Sequence, residues 1–234
     1  MLEWISAHPL LMLLAGASIA TFIWLMLARR RLEIKWYAAA LIAVLHVLCG
    51  VLCVKLFAVA EAGFDFSQFS GQSLFGAVFF LPLFYYLGAK LFRRKPADVF
   101  DCFAVPMIFT LFCARISCLI TGCCLGRQIP GSSMSYPTRE AELIFYAVLL
   151  IILIPRVIKN TRRGTAYPIF LTAYGVFRFV CEFFRESKAA GVFHIAHLWA
   201  ALAFIAGISL LLEINNRMGS AQVSHHTKHW RKTK

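Results

Sequence analysis

Seven stretches of this chain stay apolar for about 18–24 residues at a time, and that recurrence decides what it can fold into. A helix needs about 20 such residues to cross the ~30 Å hydrocarbon core of a bilayer, where no water is present to satisfy backbone N–H and C=O groups. The runs lie at approximately 9–28, 37–59, 73–92, 99–120, 139–158, 166–184 and 194–213. The expected fold is therefore all-α, a polytopic integral membrane protein with about seven transmembrane helices. With 60% hydrophobic and only 15% charged residues, a soluble domain of this length would expose more apolar surface than it can hide.

A net charge of +13 suits a nucleic-acid binder as well as a membrane protein, and the distribution of the charges separates the two. Seventeen of the 24 Lys and Arg residues fall at alternate ends of the spans. They are Arg29, Arg30, Arg31 and Lys35, then Lys90, Arg93, Arg94 and Lys95, then Arg156, Lys159, Arg162 and Arg163. The last set is Arg217, Lys228, Arg231, Lys232 and Lys234. Cytoplasmic ends carry such an excess, so the amino terminus is expected outside, the carboxyl terminus in the cytoplasm, and nucleic acid is not expected as a partner. Residues 1–216 form one seven-helix transmembrane domain in this reading, and residues 217–234 a basic cytoplasmic tail. Arg29–Arg31 resemble a stop-transfer flank rather than a cleavage site, so no cleavable signal peptide is expected. No inverted repeat supports a transporter or channel, and Pro82 and Pro106 read as ordinary kinks.

Ionisable side chains inside such spans cost roughly 2.5–3.5 kcal/mol each at mid-bilayer and are correspondingly rare. Tyr174, Arg178, Glu182 and Arg185 follow at i, i+4, i+8 and i+11, one polar stripe on a helix otherwise covered by phenylalanines. The stripe is either an Arg178–Glu182 pair that fastens helices together or an anion site near one membrane face. Its excess of positive charge favours the second. Alternating topology brings Arg115, Arg127 and Arg139 towards the same outer face, against the usual bias of charge. An anionic partner accounts for that gathering. Glu140 and Glu142 suit the first turn of the fifth span, with Thr138 as its expected N-cap, and Gly122 and Gly126 bracket Cys123 and Cys124 in the preceding break.

Three segments carry a resemblance. Ala114-Arg115 through Cys118, Gly122, Cys123, Cys124, Gly126 and Arg127 is similar to the family pattern G-R-x-G-N-F-x-N-G-E-x-x-G-R. Tyr136-Pro137-Thr138-Arg139-Glu140-Ala141-Glu142 resembles H-P-[ST]-Q-L-Y-E, and the run from Tyr174 through Arg178 and Glu182 to Arg185 resembles Y-G-x-x-R-x-x-x-E-F-x-R. The family is that of the bacterial prolipoprotein diacylglyceryl transferases. The resemblance implies a transferase of the bacterial cytoplasmic (inner) membrane, with no cofactor and no metal. It would move a diacylglyceryl group from the phospholipid phosphatidylglycerol to the lipobox cysteine thiol beside a prolipoprotein signal peptide, releasing glycerol phosphate. It further implies that Arg115 and Arg178 grip the head group, that Glu182 orients Arg178, and that Glu142 is a supporting or base-side carboxylate. Gly126 would allow close lipid approach, with Arg127, Arg185, Tyr174 and Cys118 as further substrate contacts.

The departures are informative. Phe75 stands where the family carries a histidine proposed as base, Cys118 and Cys123 replace its Asn and Glu, and Tyr136 replaces the His before Pro. His8-Pro9 takes the place of a Tyr-Gly, and Ile195-Ala196-His197 that of a Ser/Gly/Gln element. A catalytically impaired relative that binds anionic lipid or a lipoprotein precursor, or that transfers another lipid group, is the alternative. His197 offers either a substitute base or a capping residue. For Cys118, Cys123 and Cys124 the choices are loop packing, a disulfide (Cys118–Cys123 more natural than the vicinal pair) and redox or metal chemistry. Their C-x4-C-C spacing fits no familiar zinc pattern.

Overall fold

The computed structural model describes residues 9–67, 73–186 and 193–232, with side chains over 13–67, 73–186 and 193–217. Seven helices follow one another among the described residues: α1 (Pro9–Leu32), α2 (Trp36–Glu61), α3 (Phe75–Leu91), α4 (Pro96–Thr121), α5 (Thr138–Ile158), α6 (Ala166–Glu182) and α7 (Ile195–Lys232). Their order and positions match the expected spans, and the chain is a multi-pass membrane protein. Leu13–Leu32, α2, α4, α5 and Ile195–Arg217 are each long and apolar enough to cross. α3 is apolar but has 17 residues. α6 also has 17, about 26 Å of rise, and carries Arg178 and Glu182 inside it. The backbone of α7 runs on helically to Lys232, through most of the stretch expected to be a separate tail. His8 and Lys188 lie outside the described residues.

Lipid-facing positions stay apolar and exposed, as Leu41, Leu48, Ile144 and Ile151 do, while small residues and aromatics fill the interior. The α6–α7 pair is packed through glycines. A Cβ at Gly175 would strike the backbone at Phe204 and Ala200, and one at Gly207 would strike Thr172. Small residues let two helices in lipid approach this closely. Longer ties hold α1 and α3 to the rest. The Trp24 indole donates to the Cys102 carbonyl at 2.7 Å, and the Tyr167 hydroxyl to the Val78 carbonyl at 2.8 Å.

One end of the bundle is fastened by a charged knot that the sequence reading did not single out. Arg31 donates from Nε to Asp98 and from Nη2 to Asp101, each at 2.7 Å, and from Nη1 to the Val157 carbonyl at 3.2 Å. Asp101 also accepts the backbone N–H groups of Gly164 and Ala166 at 2.7 and 2.8 Å. One carboxylate on α4 thereby satisfies orphan donors at the start of α6, and one guanidinium adds a second donor to the Val157 carbonyl near the end of α5. Arg94 pairs with Glu33 at the same end. The arginine taken for a mere stop-transfer flank is the centre of a buried network.

Candidate functional site

At the opposite end α4, α5 and α6 converge. α4 ends at Gly122, whose φ of +69° is the left-handed conformation that glycine adopts freely. The chain then forms a short hairpin in which the Tyr136 N–H donates to the Arg127 carbonyl and Ile129 N–H to Met134. The hairpin also pairs with the chain leaving α6: Arg127 N–H donates to the Phe184 carbonyl at 2.8 Å, and Gly126 faces Arg185 across an antiparallel bridge. Two details differ from expectation. Arg185 is not the last residue of a helical stripe, because α6 stops at Glu182 where the backbone turns to meet the hairpin. Thr138 is the first helical residue rather than the cap. Pro137 takes the cap position, with no side-chain cap bond.

Glu142 stands at the centre. It is 2% exposed and accepts from Arg115 Nε through Oε2 and from Arg178 Nη1 through Oε1 at 2.8 Å. Arg185 Nη1 lies 3.8 Å from the same Oε1, and the Tyr146 hydroxyl donates to Oε2 at 3.5 Å. Arg178 Nη2 is 2.9 Å from Glu182, one turn further along α6. That contact is an ion pair without good hydrogen-bond geometry, since Glu182 Oε2 has no hydrogen-bond partner. The ion pairs among the described residues thus set three guanidiniums against two carboxylates, a positive excess at contact distance, while Glu61 at the end of α2 acts on Arg178 from further off. Tyr146 was missed by sequence reasoning, although its place four residues after Glu142 puts it on the same face.

The sequence-predicted residues divide into those inside this cluster and those at its rim. Arg115, Arg178, Glu182 and Glu142 are all buried together. Arg178 Nε and the Tyr174 hydroxyl, on the same face of α6, are buried donors with no acceptor among the described residues. The Phe75 ring lies under the Arg178 guanidinium at 5.5 Å and edge-on to Tyr174 at 5.9 Å. An aromatic face is a favourable seat for a guanidinium, so Phe75 supports Arg178 from the position where the family resemblance puts an imidazole. Arg127 is exposed on the hairpin. Arg139 reaches the Cys118 and Cys123 carbonyls at 3.3 and 3.4 Å, which ties down the end of α4. The close neighbour of Gly126 is the Tyr136 carbonyl, which a Cβ would strike.

Arg115 has a second contact, from Nη1 to Cys118 Sγ at 3.7 Å. Cys118, Cys123 and Cys124 are free thiols, and their sulfurs lie within 4.8 Å of one another. A hydrogen bond from Cys118, reinforced by the charges of Arg185 and Arg115, lowers the Cys124 thiol to about 5 although burial pulls the other way. His197 caps the start of α7, its Nδ1 accepting the His194 N–H at 3.3 Å, while its ring packs among Phe179, Phe183 and Phe193. His194 Nε2 lies 3.6 Å from Glu182.

An apolar groove of about 610 Å³ runs along a face of α6 other than that of Tyr174, Arg178 and Glu182, lined by Phe145 of α5, by α6 residues between Ile169 and Val180, and by Leu211 of α7. Arg115 and Arg178 do not line it; the acid of Glu142, rather than open space, stands between them.

Comparison with known sequences gives a consistent result. The profile of the family described as prolipoprotein diacylglyceryl transferase matches residues 10–213. A phosphatidylglycerol–prolipoprotein diacylglyceryl transferase 2 of Clostridium perfringens (strain 13 / Type A) is 29% identical over 121 residues, covering 45% of this chain and 47% of the relative. The phosphatidylglycerol–prolipoprotein diacylglyceryl transferase of Geobacter sulfurreducens is 26% identical over 183 residues, covering 70% of this chain and 66% of the relative. The matched regions thus span about half to two-thirds of those curated relatives.

Proposed function

The chain belongs to the prolipoprotein diacylglyceryl transferase family, and on that premise we propose that it transfers a diacylglyceryl group from phosphatidylglycerol to the lipobox cysteine thiol of a prolipoprotein. The reaction takes place at the outer face of the bacterial cytoplasmic membrane, with residues 217–234 as a basic extension on the cytoplasmic side. The observation that carries the reading is the cluster around Glu142, which joins a positive excess to buried donors, Arg178 Nε and Tyr174 OH, that lack acceptors. An anionic oxygen suits both features.

In the transfer, the thiolate sulfur bonds to the glyceryl carbon, and the C–O bond to phosphate breaks with its electron pair left on the phosphate oxygen. Charge therefore builds on the phosphate, and donors fixed in advance in a dry site stabilise it most. Arg178 holds that position through Nε and Arg115 through the part of its fork not bound to Glu142. Glu142 is a positioning residue that keeps two like-charged guanidiniums side by side. Glu182 fixes the rotamer of Arg178 from one turn away, and Tyr174 offers a further donor.

The test is complementation. Expressed in cells depleted of their own transferase, the chain should restore lipidated prolipoprotein. Well-inserted protein that yields none would reject this substrate pair. If such protein nevertheless copurified with phosphatidylglycerol, it would be the impaired, lipid-binding relative.

A further inference from the structure

Thiol deprotonation is the step for which the arginine cluster supplies no base. A free cysteine has a pKa near 8.5, and Phe75 occupies the place in which the family resemblance puts a base. The three cysteines at the end of α4 lie beside that cluster. From their arrangement we propose that Cys118, Cys123 and Cys124 form a three-thiolate site for zinc whose fourth position takes the incoming substrate thiol. The identity of that thiol rests on the transferase reading, whereas the metal site does not.

The geometry is close to what the ion needs. With Zn–S bonds of about 2.3 Å, three sulfurs around one zinc stand roughly 3.8–4.0 Å apart. Here all three lie within 4.8 Å of one another before any ion draws them in. Gly122 and Cys124, at φ +69° and +58°, fold the chain back so that two loop sulfurs return to the one at the end of the helix. An all-sulfur donor set selects zinc or another soft ion over magnesium or calcium. Three thiolates and one divalent ion leave a net negative charge, which the adjoining Arg115 favours and which its Nη1 contact to Cys118 Sγ supports as an outer-shell donor. Three protein ligands are also the number that leaves a zinc open to substrate.

Arg115 joins the two halves of the site, with Nε on Glu142 and Nη1 on Cys118. A substrate thiol bound to the zinc loses its proton to solvent and becomes a thiolate one guanidinium away from the proposed phosphate position. Its sulfur then forms the C–S bond as the C–O bond to phosphate breaks. The thioether product, being neutral, is a poorer ligand and leaves.

Cobalt(II) serves as the spectroscopic probe on the full chain, reduced and in detergent. One Co(II) per chain should bind with the d–d bands of tetrahedral thiolate coordination and be displaced by zinc. Cys118→Ser, Cys123→Ser and Cys124→Ser should each weaken binding by more than about 100-fold, beyond the loss that follows removal of an outer-shell partner. Cys181→Ser, within α6, should leave it unchanged. A lipobox-type peptide should shift the bands as a fourth sulfur joins, and its Cys→Ala version should not. Failure of the wild-type chain to bind Co(II) while its three thiols react as free groups would overturn the proposal, as would bands indifferent to the peptide thiol. A chain that passes both arms yet transfers no lipid keeps this site and loses the transferase reading. Transfer that proceeds undiminished after zinc is stripped keeps that reading and removes this one.

Discussion

At one end of the bundle Arg31 answers to two carboxylates, while at the other Glu142 answers to three guanidiniums. The first network is closed. Its two acids face Arg31 and, 3.9 Å from Asp98, Arg163, and Asp101 is engaged by Arg31 and by two backbone N–H groups. The second keeps a positive excess and leaves the donors Arg178 Nε and Tyr174 OH without acceptors. Buried charge can thus serve two purposes in one membrane protein. Where every group is matched, the network fixes which helix ends meet. Where donors exceed acceptors, as around Glu142, the unmatched groups are what the proposed function assigns to an anion.

Mutations at the two ends should therefore part company, and the largest effect is expected at the closed end. Asp101→Ala should destabilise the fold by about 3–5 kcal/mol, because it leaves the Gly164 and Ala166 N–H groups unpaired and removes one of the two carboxylates that hold Arg31. Activity per folded molecule should be unchanged, as thermal unfolding in detergent and a transfer assay on the surviving fraction will show. At the open end, Arg178→Ala should cut transfer by about 10²–10³-fold, the usual cost of removing one preorganised donor. Arg178→Lys should not rescue it, since a point charge lacks the fork that spans Glu142 and a phosphate. Equal losses of stability and activity at both ends would erase the distinction.

A finer prediction concerns Tyr174, whose hydroxyl meets no hydrogen-bond partner among the described residues. Tyr174→Phe should leave the unfolding midpoint in place and reduce transfer by about two- to tenfold, the worth of one hydrogen bond of about 0.5–1.5 kcal/mol. The smallest effect sharpens the electrostatics of the open end. The Cys124 thiol is lowered to about 5, so the thiolate persists as pH falls until that value is passed. In zinc-stripped protein its alkylation should stay fast from pH 8 to pH 6 and decline through about pH 5. In an Arg185→Gln variant, with one supporting charge gone, the decline should begin at higher pH.

Much of this contrast is legible in the sequence, unequally at the two ends. The apolar runs locate all seven helices because length and hydrophobicity are local properties. Arg178 and Glu182 pair because they are one helical turn apart, and Arg115 and Glu142 join them by the alternation of the spans. The knot was hidden for the opposite reason. Arg31 sits in a basic triplet that any cytoplasmic flank carries, and Asp98 and Asp101 look like ordinary acids at a helix start until the tertiary structure places them together. Arg185 departs from its helical stripe because the hairpin from residues 125–136 captures the backbone after Glu182. The cysteine cluster was equally opaque, because two left-handed residues, not a familiar spacing, close the loop.

In the proposed reaction the arginine cluster holds a lipid phosphate while a thiol displaces it. Mass spectrometry of a lipobox peptide incubated with the purified chain in phosphatidylglycerol vesicles tests this directly. The predicted result is a diacylglyceryl thioether on the peptide cysteine with release of glycerol phosphate, both nearly abolished by Arg178→Ala. An unmodified peptide with folded wild-type protein, or modification that survives the loss of Arg178, would contradict it.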